Sequence, residues 1–113
     1  ATYGRSGVGG RTRAVFCGGY KPDTLYNTCD SLEIMSLGVL ADFGDQSVTR
    51  YLTSTPGGSS STVGLSAGGI APSRSNVIDY LTYATAGDMA DFGDIHTALS
   101  GMNANCSNTR AFF

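Results

Sequence analysis

The stretch Asp42-Phe43-Gly44-Asp45 decides the fold of this chain, because the same four residues return forty-nine positions later as Asp91-Phe92-Gly93-Asp94. The residues before each copy match as well. Residues 27–45 read NTCDSLEIMSLGVLADFGD and residues 76–94 read NVIDYLTYATAGDMADFGD, so nine of nineteen positions are identical without a gap. Similarity at a fixed period indicates an array of small related units.

The composition favours strands and tight turns over helices. The chain of 113 residues has 16 glycines and 14% charged residues, and its apolar content of 41% is too high for a disordered segment. A net charge of −2 provides no electrostatic attraction for nucleic acid. No apolar run approaches the roughly 18 residues of a membrane span. We therefore expect neither nucleic acid nor a membrane as a partner.

Further matches between the two copies place the boundaries of the units. The apolar run at residues 14–17 precedes Gly18-Gly19, and the double glycine returns as Gly68-Gly69. Residues 109–113, TRAFF, resemble residues 12–16, TRAVF. The predicted organisation is the tail of a preceding repeat over residues 1–10, a first repeat over 11–58, a second over 59–107, and the first strand of a further repeat over 108–113.

Each repeat is predicted to contain four short antiparallel strands. The apolar run before the double glycine is the first strand, and a loop follows it. Residues 77–85 are rich in β-branched and aromatic side chains, and with residues 89–92 they predict a hairpin that turns at Gly87. Residues 47–52 and 96–99 are the candidate fourth strands.

Four strands in each unit, with a double glycine after the first, resemble the kelch motif of β-propellers. The pattern TRAVF-GGY…NVIDY…DFGD is similar to kelch-like repeats of phage and metagenomic proteins of virion-fibre or appendage type. The chain departs from kelch in lacking tryptophan, and Phe43 and Phe92 are expected to take its place. The resemblance implies an all-β fold with two four-stranded antiparallel propeller blades and one extra strand, as part of a larger or oligomeric propeller or array.

The resemblance also implies a function and a location. It implies a non-enzymatic structural or binding module of a phage-type fibre or surface appendage, on a virion or an extracellular surface. A self-assembling fibre subunit joined by strand exchange and a fragment of a propeller enzyme are the alternatives. The implied partners are further copies of the chain or the remainder of a longer repeat chain, together with a host surface glycan or protein. The only histidine is His96, no catalytic constellation is recognisable, and no cofactor is expected.

Aromatic residues in predicted loops are the candidates for ligand binding. Tyr20 and Tyr26 lie between the double glycine and Asn27, and Arg74 lies in the corresponding loop of the second repeat. Exposed aromatic rings suit stacking on sugars or contact with a protein partner.

Repeated aspartates are candidates for calcium binding, because carboxylate oxygens are the ligands that calcium prefers. Two carboxylates in each copy are few for a calcium site, and the simpler interpretation is a turn in which they accept backbone N–H bonds. Asp30 and Asp79 are expected to cap a neighbouring loop or strand in the same way. The calcium candidates are Asp42, Asp45, Asp91 and Asp94.

Three cysteines, Cys17, Cys29 and Cys106, make an odd count without metal-ligand spacing. The sequence favours buried thiols that act as small apolar side chains. A disulfide between Cys17 and Cys29 on neighbouring strands is the alternative.

Overall fold

The computed structural model describes residues 2–54 and 59–113, and every regular element in these ranges is a β-strand. All the strand pairs are antiparallel, which confirms the all-β prediction. The described part of the chain contains no helix that is long and apolar enough to cross a membrane. The strands are β1 (Ser6–Gly9), β2 (Arg13–Lys21), β3 (Thr24–Glu33), β4 (Ala41–Asp45), β5 (Val63–Ala67), β6 (Ile70–Ala71), β7 (Ser73–Arg74), β8 (Val77–Thr82), β9 (Ala90–Asp94), β10 (Asn105–Cys106) and β11 (Ala111–Phe112).

Two larger sheets carry most of the structure. The first sheet has the order β1-β2-β3-β4, and the second has the order β5-β8-β9. Two small hairpins, β6-β7 and β10-β11, stand beside them. The first sheet thus has four strands, but β1 comes from residues 1–10, before the predicted first repeat, and the second sheet has three strands among the described residues.

The prediction of a fourth strand at residues 47–52 and at residues 96–99 is wrong. The first segment contains only an isolated bridge at Tyr51, and the second has no strand pairing. The backbone of these segments instead bonds to the double glycines, since Gly19 N–H donates to the Arg50 carbonyl at 3.2 Å and Gly69 N–H donates to the Leu99 carbonyl at 2.8 Å. The strand that completes the first sheet is β1, which precedes β2 in the chain.

The repeated Asp-Phe-Gly-Asp stretch forms a β-bulge in both sheets. The ladder pairs Cys29 with Gly44 and then Asp30 with Asp42, so that Phe43 is the extra residue. The second sheet repeats this register shift around Phe92. The φ angles of the glycines that follow, +141° in the first sheet and +144° in the second, lie in the region that favours glycine. The two glycines therefore allow the same bend in both sheets.

The apolar core lies between one face of the first sheet and the opposite face of the second. Phe43 belongs to it with 3% of its surface exposed, whereas Phe92 is 65% exposed. Of the two rings expected to take the place of the kelch tryptophan, only Phe43 therefore lies in the core. Residues 83–89 cover Phe43, and within the described ranges no corresponding segment covers Phe92. The core residues are Val8, Val15, Cys17, Cys29, Phe43, Leu81, Tyr83 and Met89.

Cys17 and Cys29 form a disulfide across β2 and β3. They face each other in the ladder with their Cα atoms 4.1 Å apart, and both are buried. The interpretation as buried free thiols is therefore wrong for this pair, and the bridge that the sequence left open is formed. Ala67 and Ile78 occupy the corresponding positions of the second sheet. In the described part of the chain, Cys106 is a free thiol.

We expect removal of the disulfide by a double substitution, Cys17→Ala and Cys29→Ala, to lower the free energy of unfolding. The cross-link joins residues twelve positions apart, and closing a loop of that size in the unfolded chain is worth about 3 kcal/mol. Equilibrium denaturation of the oxidised wild type and the double variant measures the difference. A thiol titration in denaturant should find one reactive thiol before reduction and three afterwards, and three before reduction would contradict the bridge.

Candidate functional site

Tyr20 and Arg74, two of the predicted binding residues, belong to one continuous surface at the hairpin tips. The ring of Tyr20, near the end of β2, stacks on Tyr51 with the centroids 5.3 Å apart. Tyr51 exchanges backbone hydrogen bonds of 3.2 and 2.9 Å with Ile70, and Ile70 lies opposite Arg74 in the β6-β7 hairpin. These contacts place two aromatic rings and a guanidinium-bearing residue at the same end of the molecule.

Tyr3 extends this surface. It exchanges two backbone hydrogen bonds of 2.8 Å with Tyr20, and 63% of its surface is exposed. Sequence reasoning missed Tyr3 and Tyr51 as site residues, although a signal was present. The two tyrosines are forty-eight positions apart, close to the period of the repeat, and the residue after each, Gly4 or Leu52, has a positive φ.

Tyr26, the third predicted binding residue, lies on the other face of the β2-β3 hairpin. The loop prediction for this region is wrong, because the ladder continues to the pair Lys21–Thr24. The turn needs only Pro22 and Asp23, and Asp23 has a φ of +66°. Successive strand residues point to opposite faces, so the ring of Tyr26 meets Lys21, whose ammonium lies 4.9 Å from the ring centroid.

The tip surface therefore offers stacking and hydrogen bonding. Its aromatic rings can lie flat against an apolar face of a ligand. Arg74 is exposed, and its guanidinium can donate several hydrogen bonds in a fixed plane. Lys21 supplies a second positive charge on the far side of the hairpin. We define the tip surface as Tyr3, Tyr20, Tyr51 and Arg74, since Lys21 and Tyr26 lie on the opposite face of the β2-β3 hairpin.

Two of the four aspartates considered for calcium take part in hydrogen bonds around the bulges, Asp91 through its carboxylate and Asp45 through its backbone N–H. Asp91 accepts a hydrogen bond from Gly93 N–H at 3.0 Å, and the N–H of Asp45 donates to the Asp88 carboxylate at 3.0 Å. Asp42 and Asp94 are exposed. No group of three or more His, Cys, Asp or Glu side chains that could hold a metal ion occurs among the described residues.

A fully buried ion pair joins the segment between the sheets to the second sheet. Arg50 donates to Asp79 at 2.8 Å, and both side chains are completely buried. Asp79 also accepts hydrogen bonds from the N–H and hydroxyl of Ser47 at 3.1 and 2.6 Å, which confirms that it caps a neighbouring loop. Arg50 donates further to the carbonyls of Val77 at 3.0 Å and Ser66 at 3.1 Å.

The positive charge of Arg50 is compensated by nearby carboxylates. Burial lowers the pKa of its guanidinium below the ordinary value, while the carboxylates of Asp79 and Asp91 act in the opposite direction. An arginine stays protonated even when its pKa is moderately lowered. The pair is therefore a charged link between segments, in which the two terminal nitrogens of the guanidinium bond to the protein and Nε has no partner among the described residues.

The first sheet contains a corresponding link. Arg5 donates to Asp30 at 2.6 Å, to the Phe16 carbonyl at 2.8 Å and to the Thr28 carbonyl at 3.3 Å. These acceptors occupy the ladder positions that Asp79, Ser66 and Val77 occupy in the second sheet. Sequence reasoning missed both arginines, because Arg5 and Arg50 are forty-five positions apart and do not follow the period of forty-nine.

Comparison with known proteins finds no match: no protein-family model fits this chain, and no curated protein resembles it significantly in sequence.

Proposed function

We propose that this chain is a non-enzymatic structural and binding module, built of kelch-like propeller blades, of a phage-type fibre or surface appendage. It binds a host surface glycan or protein through the tip surface. The observation that carries the proposal is the row of Tyr3, Tyr20 and Tyr51. This row joins the tips of two hairpins and presents aromatic rings outside the core.

The chemistry of this row favours a sugar or a protein surface as the ligand. Aromatic side chains bury large areas and pair with flat apolar faces, and tyrosine adds a hydroxyl that can hydrogen-bond. Arg74 at the edge of the row adds planar donors for hydroxyl or carboxylate groups. Tyrosine and arginine are also the residues in which protein interfaces are enriched.

Two further features support a structural module at an extracellular or virion surface. The disulfide between Cys17 and Cys29 is of the kind that persists in oxidising environments. The buried charges Arg50 and Asp79 are paired with each other and with backbone groups, so their role is to hold segments together.

Replacing Tyr3 with alanine is expected to weaken glycan or protein binding by up to about tenfold, the loss of one aromatic contact. Binding is first detected on a glycan array and then measured by titration with the sugar found. Tyr80→Ala serves as the matched control, because Tyr80 is exposed and its ring contacts Phe92 instead of the tip surface. Equal binding by wild type, Tyr3→Ala and Arg74→Ala would contradict the proposed site.

A further inference from the structure

One segment of the second sheet covers the edge strand of the first. Gly87 N–H donates to the Phe43 carbonyl at 2.6 Å, and Met89 N–H donates to the Asp45 carbonyl at 2.7 Å. Tyr83 and Met89, at the two ends of this segment, are each 5% exposed. Residues 83–89 thus cover β4 with both backbone bonds and apolar side chains, and we name them the covering segment.

The first sheet has a corresponding segment at residues 34–40, forty-nine positions earlier, and it covers nothing within the described chain. Ile34 is 52% exposed where Tyr83 is buried, and Leu40 is 47% exposed where Met89 is buried. Contiguous exposed apolar side chains of this kind mark an interaction surface. The exposed apolar residues of this segment are Ile34, Met35, Leu37, Val39 and Leu40.

The strand that would receive this segment is also present and open. In β9, Phe92 is largely exposed, and within the described ranges no backbone bond like those from the covering segment reaches Phe92 or Asp94. A Cβ atom added at Gly93 would meet nothing within 4 Å, whereas one added at Gly44 would overlap the carbonyl oxygen of Gly87. The bulge of the first sheet is therefore covered by another segment, whereas the bulge of the second sheet is uncovered within the described ranges.

We propose that residues 34–40 of one copy of this chain cover β9 of another copy, in the way that residues 83–89 cover β4 within the chain. The occupant of each surface is thus a second copy, joined head to tail. This inference goes beyond the proposed function, because it concerns surfaces other than the hairpin tips. An interface between two different surfaces leaves one of each free, so association continues into a ring or a filament.

The β10-β11 hairpin lies over another part of the same face. It corresponds to β1 and the start of β2, since Ser107 N–H donates to the Arg110 carbonyl at 2.8 Å just as Gly10 N–H donates to the Arg13 carbonyl at 2.9 Å. With Phe92 it lines a cleft of about 460 Å³. None of its residues is fully buried. Head-to-tail packing that repeats the intramolecular arrangement therefore displaces this weakly held hairpin.

Complementary variants of the full chain test the proposal. Leu40→Asp places a charge on residues 34–40, at the position that corresponds to the buried Met89, and leaves β9 intact. Phe92→Asp places a charge on β9 and leaves residues 34–40 intact. Leu40 is 47% exposed and Phe92 is 65% exposed, so folding should be unchanged in thermal melts. In sedimentation velocity, the wild type should grow in mass with concentration, and each variant alone should stay monomeric. A 1:1 mixture of the two variants should form a dimer and nothing larger.

Val48→Asp is the matched control, because Val48 is an exposed apolar residue outside both surfaces, and this variant should associate like the wild type. A wild type that is monomeric at the highest attainable concentration would overturn the proposal. So would a Leu40→Asp or Phe92→Asp variant that associates alone. A mixture of the two that stays monomeric while the wild type associates would also overturn it, since it would exclude a head-to-tail interface.

Discussion

Replacing Asp79 with asparagine is expected to lower the free energy of unfolding by about 3–5 kcal/mol, the cost of breaking a buried ion pair by removing one partner. The substitution leaves the Arg50 guanidinium buried without its counter-charge, and it weakens the two hydrogen bonds from Ser47. Equilibrium denaturation at neutral pH measures the loss. A domain of this size has a total stability of about 5–15 kcal/mol, so the variant should be close to unfolding.

The corresponding pair in the first sheet provides the control. Asp30→Asn removes the carboxylate that Arg5 contacts, but the two side chains are 24% and 31% exposed. Water can therefore solvate the guanidinium that is left, and we expect a loss of about 1 kcal/mol. Equal losses at Asp30 and Asp79 would contradict the argument from burial.

A double variant keeps the test decisive if Asp79→Asn does not fold. Arg50→Met combined with Asp79→Leu removes both charges and fills the space with apolar atoms. Replacement of a complete buried pair by apolar residues of similar volume is often neutral or stabilising. We expect the double variant to be more stable than Asp79→Asn, and a double variant that is less stable would show that the charge is not the cause.

Gly44→Ala is the second substitution with a large expected effect, a loss of about 3 kcal/mol or more in the free energy of unfolding. Gly44 has a φ of +141°, and the new methyl group would overlap the Gly87 carbonyl oxygen. That oxygen belongs to the backbone of the covering segment, so it cannot move aside as a side chain can. The expected loss therefore combines backbone strain with displacement of this segment from β4.

Gly93→Ala separates these two contributions. Gly93 has nearly the same φ, +144°, but nothing lies within 4 Å of the new methyl group. Only the backbone strain remains, and we expect a loss of about 1–2 kcal/mol. If both alanine variants lose the same amount in denaturation experiments, the covering segment does not lie against β4.

The candidate site was only partly predictable. Tyr20 and Arg74 could be found as residues near predicted turns, and the structure joins them through Tyr51. Tyr26 could not be assigned to the correct face, because that depends on whether the β2-β3 ladder continues past the double glycine. The ion pairs of Arg5 and Arg50 could not be predicted from the sequence either. A long side chain can bring its guanidinium to equivalent acceptors from positions that do not follow the repeat.

The repeat, the strand-rich character and the bend at each Asp-Phe-Gly-Asp are local properties, and the order of residues is sufficient to determine them. The double glycine and the glycine of the Asp-Phe-Gly-Asp stretch have a positive φ in both copies, because the requirement arises within a few residues. Burial is different, because it depends on what another segment brings to the surface. Phe43 and Phe92 have the same neighbours in sequence and the same bulge, yet only Phe43 is covered, by residues forty or more positions away. The tertiary structure alone therefore decides which bulge is part of the core and which is open to a partner.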